Sequence, residues 1–297
     1  MDKRRFVQKI DAARDGAAVG WRQLTDAFRS QGAKAVAYVP EGVEYATQVV
    51  EQVPVELFTP PSAQGAVLML HGGNYILPVV DDHRAFANQV ALGSGKTVVL
   101  VDYATEPYRY PDALREVYTV WQWLYGRDDR LCFLGDGSGA NMALQLAMLL
   151  RGGAVRMPGG LVLISPQVDM TAGGDSYYDN YYLDVVYGKK KLSGLDIPDA
   201  FRHSEMWAYA DGQDLASPEI SPLFADLGGM PPCHITVGEH EVLLSDATRL
   251  AESLRLADVP CTLTVGKGLF YAYPMCYRHL PEAKEALTEI CAFLRSR

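Results

Sequence analysis

Gly135-Asp136-Gly137-Ser138-Gly139-Ala140-Asn141 is the stretch on which the reading of this chain turns. An apolar run, Leu131-Cys132-Phe133-Leu134, precedes it, and a helix-prone run from Met142 to Leu150 follows. Strand, tight turn and helix in that order form the setting of a G-x-S-x-G turn, which exposes a serine nucleophile at its tip. Gly135 and Gly139 fit that pattern. Its middle position, however, is Gly137, and Ser138 comes one residue late.

Outward from this turn, the chain alternates between short apolar runs and amphipathic segments. Strands are expected at Glu44–Val50, Val53–Phe58, Ala66–Leu70, Thr97–Val101, Leu131–Leu134, Leu161–Ile164, His234–Val237 and Thr262–Val265. Helices are expected at Asp82–Leu92, Asp112–Tyr125, Gly139–Leu150, Leu244–Ala257 and Pro281–Leu294. Continuous apolar strands separated by helices indicate an α/β protein with a mostly parallel sheet covered on both faces. Residues 1 to about 32 read as helical, with Phe6, Ile10 and Ala13 spaced for one face.

The alternation fails between about Thr171 and Ala216. This segment carries Tyr177, Tyr178, Tyr181, Tyr182, Tyr187, Trp207 and Tyr209, and it is too long for a plain connecting loop. An inserted, partly helical lid is expected there. The division that follows is 1–40 as an N-terminal helical part of a cap, 41–170 and 217–297 as the core, and 171–216 as the lid.

Composition narrows the function. The 297 residues are 48% hydrophobic and 21% charged, with a formal net charge of −9. A net acidic chain lacks the basic surface that nucleic-acid binding needs, so no nucleic-acid partner is expected. Lys189-Lys190-Lys191 reads as a solvated loop. The start of the chain is too polar for a signal-peptide core, and no stretch is long and apolar enough to span a membrane. The five cysteines (Cys132, Cys233, Cys261, Cys276 and Cys291) show neither a C-x-x-C pair nor metal-ligand spacing. An odd, scattered set suits a reducing compartment, so the cytoplasm is the expected location, with no metal and no cofactor.

Further motifs fall in a fixed order. His71-Gly72-Gly73-Asn74 follows the strand ending at Leu70, where an HGGG-type oxyanion loop belongs. Then come Val101-Asp102-Tyr103 with Glu106-Pro107 and Tyr110-Pro111, and Ser165-Pro166-Gln167-Val168-Asp169. Ser221-Pro222-Leu223-Phe224 runs on to Pro231-Pro232, followed by Gly238-Glu239-His240-Glu241-Val242-Leu243-Leu244-Ser245-Asp246 and Gly268-Leu269-Phe270-Tyr271-Ala272-Tyr273-Pro274. Together they resemble the hormone-sensitive-lipase-like esterases of the α/β-hydrolase superfamily, from about Ala66 to the C-terminus. The resemblance implies an α/β-hydrolase fold, with a central sheet flanked by helices and a lid made from the N-terminal helices and the insertion. It also implies carboxylic-ester chemistry and a homodimer through the edge strand and last helix.

Carried over position by position, the family's acid falls on Glu241, its histidine on Tyr271 and its nucleophile on Gly137. Two of the three catalytic groups are therefore absent by type. Oxyanion and ligand contacts fall on Gly72, Gly73, Asn74 and the N–H of Ser138, with Tyr75 beside them as the aromatic expected to touch a ligand. His71 and Asp136 read as supports of this loop and this turn. Ser138 could be a displaced nucleophile served by His240 or His279, but a helix-start serine is the favoured reading, because a misplacement of about 1 Å costs roughly 100-fold. Tyr271 would be a base only as phenolate, and a phenol titrates near pH ~10. The expected function is an esterase-family fold with an impaired site that binds a small acyl or carboxylate ligand. The alternative is an active ester hydrolase using Ser138 and a non-standard base.

Overall fold

The short aliphatic runs of the inner strands form strands here because they are covered on both faces and can satisfy their backbone only through a ladder with their neighbours. The computed structural model describes residues 38–128, 130–153, 155–188, 201–202 and 205–297. Strands β1 (Glu44–Val50), β2 (Val53–Thr59) and β3 (Ala66–Leu70) come first, followed by helix α1 (Asp81–Ser94). β4 (Thr97–Val101), α2 (Asp112–Tyr125), β5 (Leu131–Asp136) and α3 (Ser138–Gly152) follow. Next come β6 (Leu161–Ile164) and a one-turn helix α4 (Ser176–Asp179). β7 (Cys233–Gly238), α5 (Leu244–Leu256), β8 (Cys261–Gly266) and α6 (Pro281–Arg295) complete the order.

The described strands build one eight-stranded sheet in the order β1-β2-β4-β3-β5-β6-β7-β8. β1 pairs antiparallel with β2, and β2 antiparallel with β4; from β4 to β8 every pairing is parallel. The α/β-hydrolase architecture expected from the sequence is what forms. β5 lies between β3 and β6. Parallel strands bring the loops that follow β3, β5, β6, β7 and β8 to one edge of the sheet, so His71, Gly137, Ser165, Glu241 and Tyr271 all leave the same side.

The period of two sorts side chains between the faces. Val67, Met69, Val98 and Leu100 join Phe86, Ala87, Val90 and Ala91 of α1 and Leu287, Ile290 and Leu294 of α6 on one face. Leu68, Leu70, Val99 and Val101 point the other way, onto Val117, Val120, Trp121 and Leu124 of α2 and onto α3 and α5. The spacing 117, 120, 121, 124 is one helical stripe. α3 is buried nearly all round, because the sheet lies beneath it and the segment joining β6 to β7 covers it.

Several boundaries shift by one or two residues, and two of them, the end of β5 and the start of α3, shift for one reason. β5 runs on through Gly135 and Asp136, because Asp136 still pairs with Ile164 of β6 and the Gly137 N–H reaches the Ile164 carbonyl at 2.9 Å. α3 then starts at Ser138, one residue earlier than expected, with Asn141 N–H bonded to Gly137 O at 3.1 Å. The turn between them is a single residue.

Between β6 and β7, the described residues hold α4 and a 3₁₀ turn over Glu205–Ala210. Tyr177, Tyr181, Tyr187, Trp207 and Tyr209 are buried, with Phe201 among them, whereas Tyr178 and Tyr182 face solvent. The expected N-terminal helical region, up to residue 37, and Lys189-Lys190-Lys191 lie outside the described residues. Among the described residues, no helix is long and apolar enough to cross a membrane.

Candidate active site

Gly137 has φ 51° and ψ −115°. This is left-handed backbone, where a residue with a side chain is strained and glycine is not. A second constraint is steric. A Cβ on Gly137 would overlap the hydroxyl oxygen of Tyr271 and stand 3.1 Å from Cζ and 3.2 Å from Cε2 of the same ring. The phenol thus fills the space a side chain at the tip of the turn would take. Gly139 is small for a different reason. A Cβ there would run into the carbonyls of Leu70 and His71, so its absence lets α3 close onto the end of β3.

Asp136, next to the tip, organises the surroundings. Its Oδ1 accepts the Gly72 N–H at 2.8 Å, and its Oδ2 accepts the Tyr271 hydroxyl at 3.1 Å. Burial pushes its carboxyl up to about 6, against the lowering effect of those two hydrogen bonds. The Gly72 N–H is therefore committed to a carboxylate, which removes Gly72 from the expected oxyanion donors. Among the described residues, no hydrogen bond engages the N–H of Gly73 or of Asn74. Gly73 (φ 111°), Asn74 (φ 55°) and Tyr75 (φ 58°) are all left-handed, which folds this loop back on itself, with Ile76 and Leu77 N–H both bonded to Gly73 O. The N–H of Ser138, in the first turn of α3, has no intrahelical acceptor.

Glu241 lies in the loop after β7, fully buried. Its Oε1 accepts the Ser165 hydroxyl at 2.9 Å and the Gly238 N–H, and its Oε2 has no partner among the described residues. Burial drives its pKa well above the usual carboxylate value, with Asp184 adding repulsion, so the neutral acid is favoured. Ser165 is a residue the sequence reading used only as part of a motif. Its hydroxyl also accepts the Ala272 N–H at 3.0 Å, which ties the Glu241 loop to the loop carrying Tyr271. Tyr271 itself is held well above the ordinary phenol pKa by burial and by Asp136, and hence neutral. Tyr187 packs edge-on against it, with centroids 5.6 Å apart at 82°, and donates its hydroxyl to Asn74 Oδ1 at 3.1 Å.

The remaining candidates are placed less favourably for chemistry. Ser138 is fully buried, and its hydroxyl lies beside the Tyr103 phenol without a hydrogen bond of ordinary geometry to any imidazole or other group among the described residues. His279 is exposed and His240 half-buried, its N–H bonded to Leu269 O at 2.9 Å. His71 braces its loop as expected, with Nδ1 2.7 Å from Gly72 O and its ring stacked on Tyr103 at 4.1 Å. Tyr75 does not present its ring to an open cavity. It is 2% exposed, stacked on Tyr209 at 3.6 Å, with its hydroxyl 3.2 Å from Asn141 Oδ1.

The histidine that does approach the turn is His83, which the sequence reading passed over. It comes from the first turn of α1, its Nε2 3.9 Å from Asp136 Oδ1 and its ring 5.4 Å from that of His71. Its Nδ1 accepts the Val80 N–H at 3.1 Å, and burial lowers its pKa to about 4, so it is neutral at physiological pH. No spacing within α1 marks it; only the packing of that helix over β4 and β2, which brings its first turn up to the end of β5, does.

Among the described residues, no group of three or more His, Cys, Asp or Glu side chains could hold a metal ion. What the arrangement offers is a set of backbone donors, a neutral phenol and two buried carboxyls, with no positioned hydroxyl–imidazole pair among the described residues.

Comparisons with known proteins agree with the fold. The sequence profile described as alpha/beta hydrolase fold matches residues 67–275. The chain is similar to an esterase of Acinetobacter venetianus, 32% identical over 245 residues, which are 81% of this chain and 78% of that one. It is similar to a putative acetyl-hydrolase, LipR, of Mycobacterium tuberculosis, 28% identical over 286 residues, 93% of this chain and 87% of that one. Its fold superposes with a TM-score of 0.86 on the crystal structure of an esterase from the bacterial hormone-sensitive lipase family, 27% identical, covering 100% of this chain and 99% of that one.

Proposed function

The chain belongs to the alpha/beta hydrolase fold family, and on that footing we propose that it is an esterase relative with a silenced hydrolytic site, holding a small acyl or carboxylate ligand instead of cleaving an ester. Ester cleavage on this scaffold needs a serine at the tip of the turn, an imidazole to take its proton, an acid behind the imidazole and N–H donors for the oxyanion. The acid, at Glu241, and the N–H donors are present in kind; the hydroxyl and the imidazole are not. Gly137 offers no hydroxyl, and Tyr271 is a neutral phenol.

The observation that carries the reading is the overlap between Tyr271 Oη and the place of a Cβ on residue 137. The tyrosine takes up both vacant roles: it stands in the histidine loop and reaches into the nucleophile's volume, anchored there by Asp136. The Gly73 and Asn74 N–H groups remain as donors for a carbonyl or carboxylate oxygen. Magnitudes support loss of turnover. Removing nucleophile or histidine alone costs about a millionfold in a serine hydrolase, and removing both costs little more. An oxyanion hole with binding alone retains on the order of a thousandfold over water.

The segment between β6 and β7 serves as the lid in this reading, with Tyr187 linking it to Asn74. Five free thiols support a reducing, cytoplasmic setting.

The test is turnover of p-nitrophenyl acetate and butyrate by purified protein, together with fluorophosphonate labelling. Neither a burst of p-nitrophenol nor a covalent adduct is expected. A burst accompanied by an adduct on Ser138 would overturn the proposal in favour of a rearranged, active hydrolase.

A further inference from the structure

At the opposite edge of the sheet from Gly137, where β3, β4 and β5 begin, lies a cavity of about 280 Å³. Gln64, Gly93, Lys96, Arg130, Arg295 and Arg297 are among its lining residues, and no acidic side chain is, among the described residues. Four cations around one hollow are conspicuous in a chain of formal net charge −9.

Among the described residues, their hydrogen-bond partners are main-chain and amide oxygens. Lys96 is only 2% exposed, and its Nζ donates to the Arg297 main-chain oxygen at 2.8 Å and to Arg130 O at 3.3 Å. Arg130 donates to Gln64 Oε1 at 3.1 Å, and Arg295 to Gly93 O. The Arg297 guanidinium lies over the Phe293 ring at 5.1 Å. A guanidinium has five N–H donors, so each arginine keeps most of its fork unspent. Asp128 is engaged by the Arg130 N–H at 2.8 Å and does not line the cavity.

Cations near helix C-termini have a plainer use, since they answer the partial negative charge there. α1 and α6 both end at this cavity, and each terminus supplies roughly half a negative charge. Even with a further unit from a carboxylate at residue 297 and another from the neighbouring Asp128, the cations stay in excess by about one charge among the described residues. Burial lowers the Lys96 pKa and Arg130 adds to this, while Cys132 and Asp128 act in the opposite direction.

We propose that this cavity is a binding site for a small soluble anion bearing two or more linked phosphate groups, distinct from the Gly137 site. Planar guanidinium forks match phosphate oxygens two at a time. The recess is too small for a nucleic-acid backbone or a membrane surface. The inference does not depend on whether the Gly137 site is silent.

The probe is inorganic pyrophosphate, titrated calorimetrically at low salt, with orthophosphate and citrate as comparisons. Saturable one-to-one binding of pyrophosphate is expected, weaker for orthophosphate and for citrate by about tenfold or more. Arg130→Gln combined with Arg295→Gln is expected to abolish it, whereas the Arg130→Lys, Arg295→Lys pair keeps the charge and weakens it less. Far-UV circular dichroism of both variants checks that they fold. The Gly137→Ser, Tyr271→His protein is expected to bind pyrophosphate like the wild type. Absence of saturable binding, equal affinity for citrate, or undiminished binding by the folded Gln pair would each overturn the proposal.

Discussion

The phenol oxygen of Tyr271 stands where a side chain on Gly137 would have to begin. Each residue accounts for the other. Glycine at the tip leaves room for the ring, and the ring, held by Asp136, closes the space from which a nucleophile would act.

The pair therefore has to be changed together. Gly137→Ser alone sets a side chain at φ 51° against Tyr271, and is expected to cost about 1–3 kcal/mol in denaturant unfolding while giving no esterase activity. Tyr271→His alone supplies a base with nothing to deprotonate. The double substitution is expected to bring p-nitrophenyl acetate hydrolysis at least about tenfold above either single variant, because triad members act as a unit. Equal gains from the single variants would show that the turn is registered differently.

Glu241 lends itself to a sharper test of its protonation state. Its neutral form is favoured by burial, and its two accepted hydrogen bonds both go to Oε1. Glu241→Gln keeps that oxygen and should change stability by less than about 1 kcal/mol. Glu241→Ala strands the Ser165 hydroxyl and the Gly238 N–H, and should cost about 2–3 kcal/mol. A large loss in the glutamine variant would mean the group is ionised in the folded protein.

Asp136 makes stability depend on pH in a defined direction. Its folded pKa, about 6, lies above the unfolded value of about 4, so the folded state binds the extra proton between those values. Its contribution to stability is therefore greatest below pH ~4 and falls away as pH rises to ~6, by about 3 kcal/mol. His83, lowered to about 4, works oppositely over pH ~4 to ~6.5, and the two partly cancel. In Asp136→Asn the opposing slope is gone. The stability difference, variant minus wild type, should grow by about 3 kcal/mol from pH ~4 to pH ~6 in urea melts. A difference that stays flat would show that Asp136 titrates normally.

Ser138 is expected to be inert. Its buried hydroxyl makes no ordinary hydrogen bond, so Ser138→Ala should leave the denaturation midpoint almost unchanged and remove no activity. Tyr75 is the contrast. Stacked on Tyr209 and bonded to Asn141, it should lose about 3–5 kcal/mol on truncation to alanine, as a packed aromatic of the core does. A mild effect at Tyr75 would return it to the role of ligand contact.

Much of this could be read along the chain. Ala66–Leu70, Thr97–Val101 and Leu161–Ile164 are strands with the ends expected, because each is a short run, apolar apart from Thr97, that stops against glycine or a polar residue. The pattern at 135–139 located the turn itself. Errors of one or two residues arose where a ladder partner decides the boundary, as Ile164 does for the end of β5.

The sequence by itself determined the kinds of group present: no hydroxyl at 137, no imidazole at 271, a carboxyl at 241. Those identities are local facts and need no fold. Only the tertiary structure decided what the groups do to one another. Gly72 lost its N–H to a carboxylate 64 positions away, Tyr75 turned into core, and His83 came up to Asp136 from another helix. Such outcomes depend on which strands lie side by side and how deeply each side chain is buried, quantities set by the packing of the whole sheet and invisible in any one stretch of the chain.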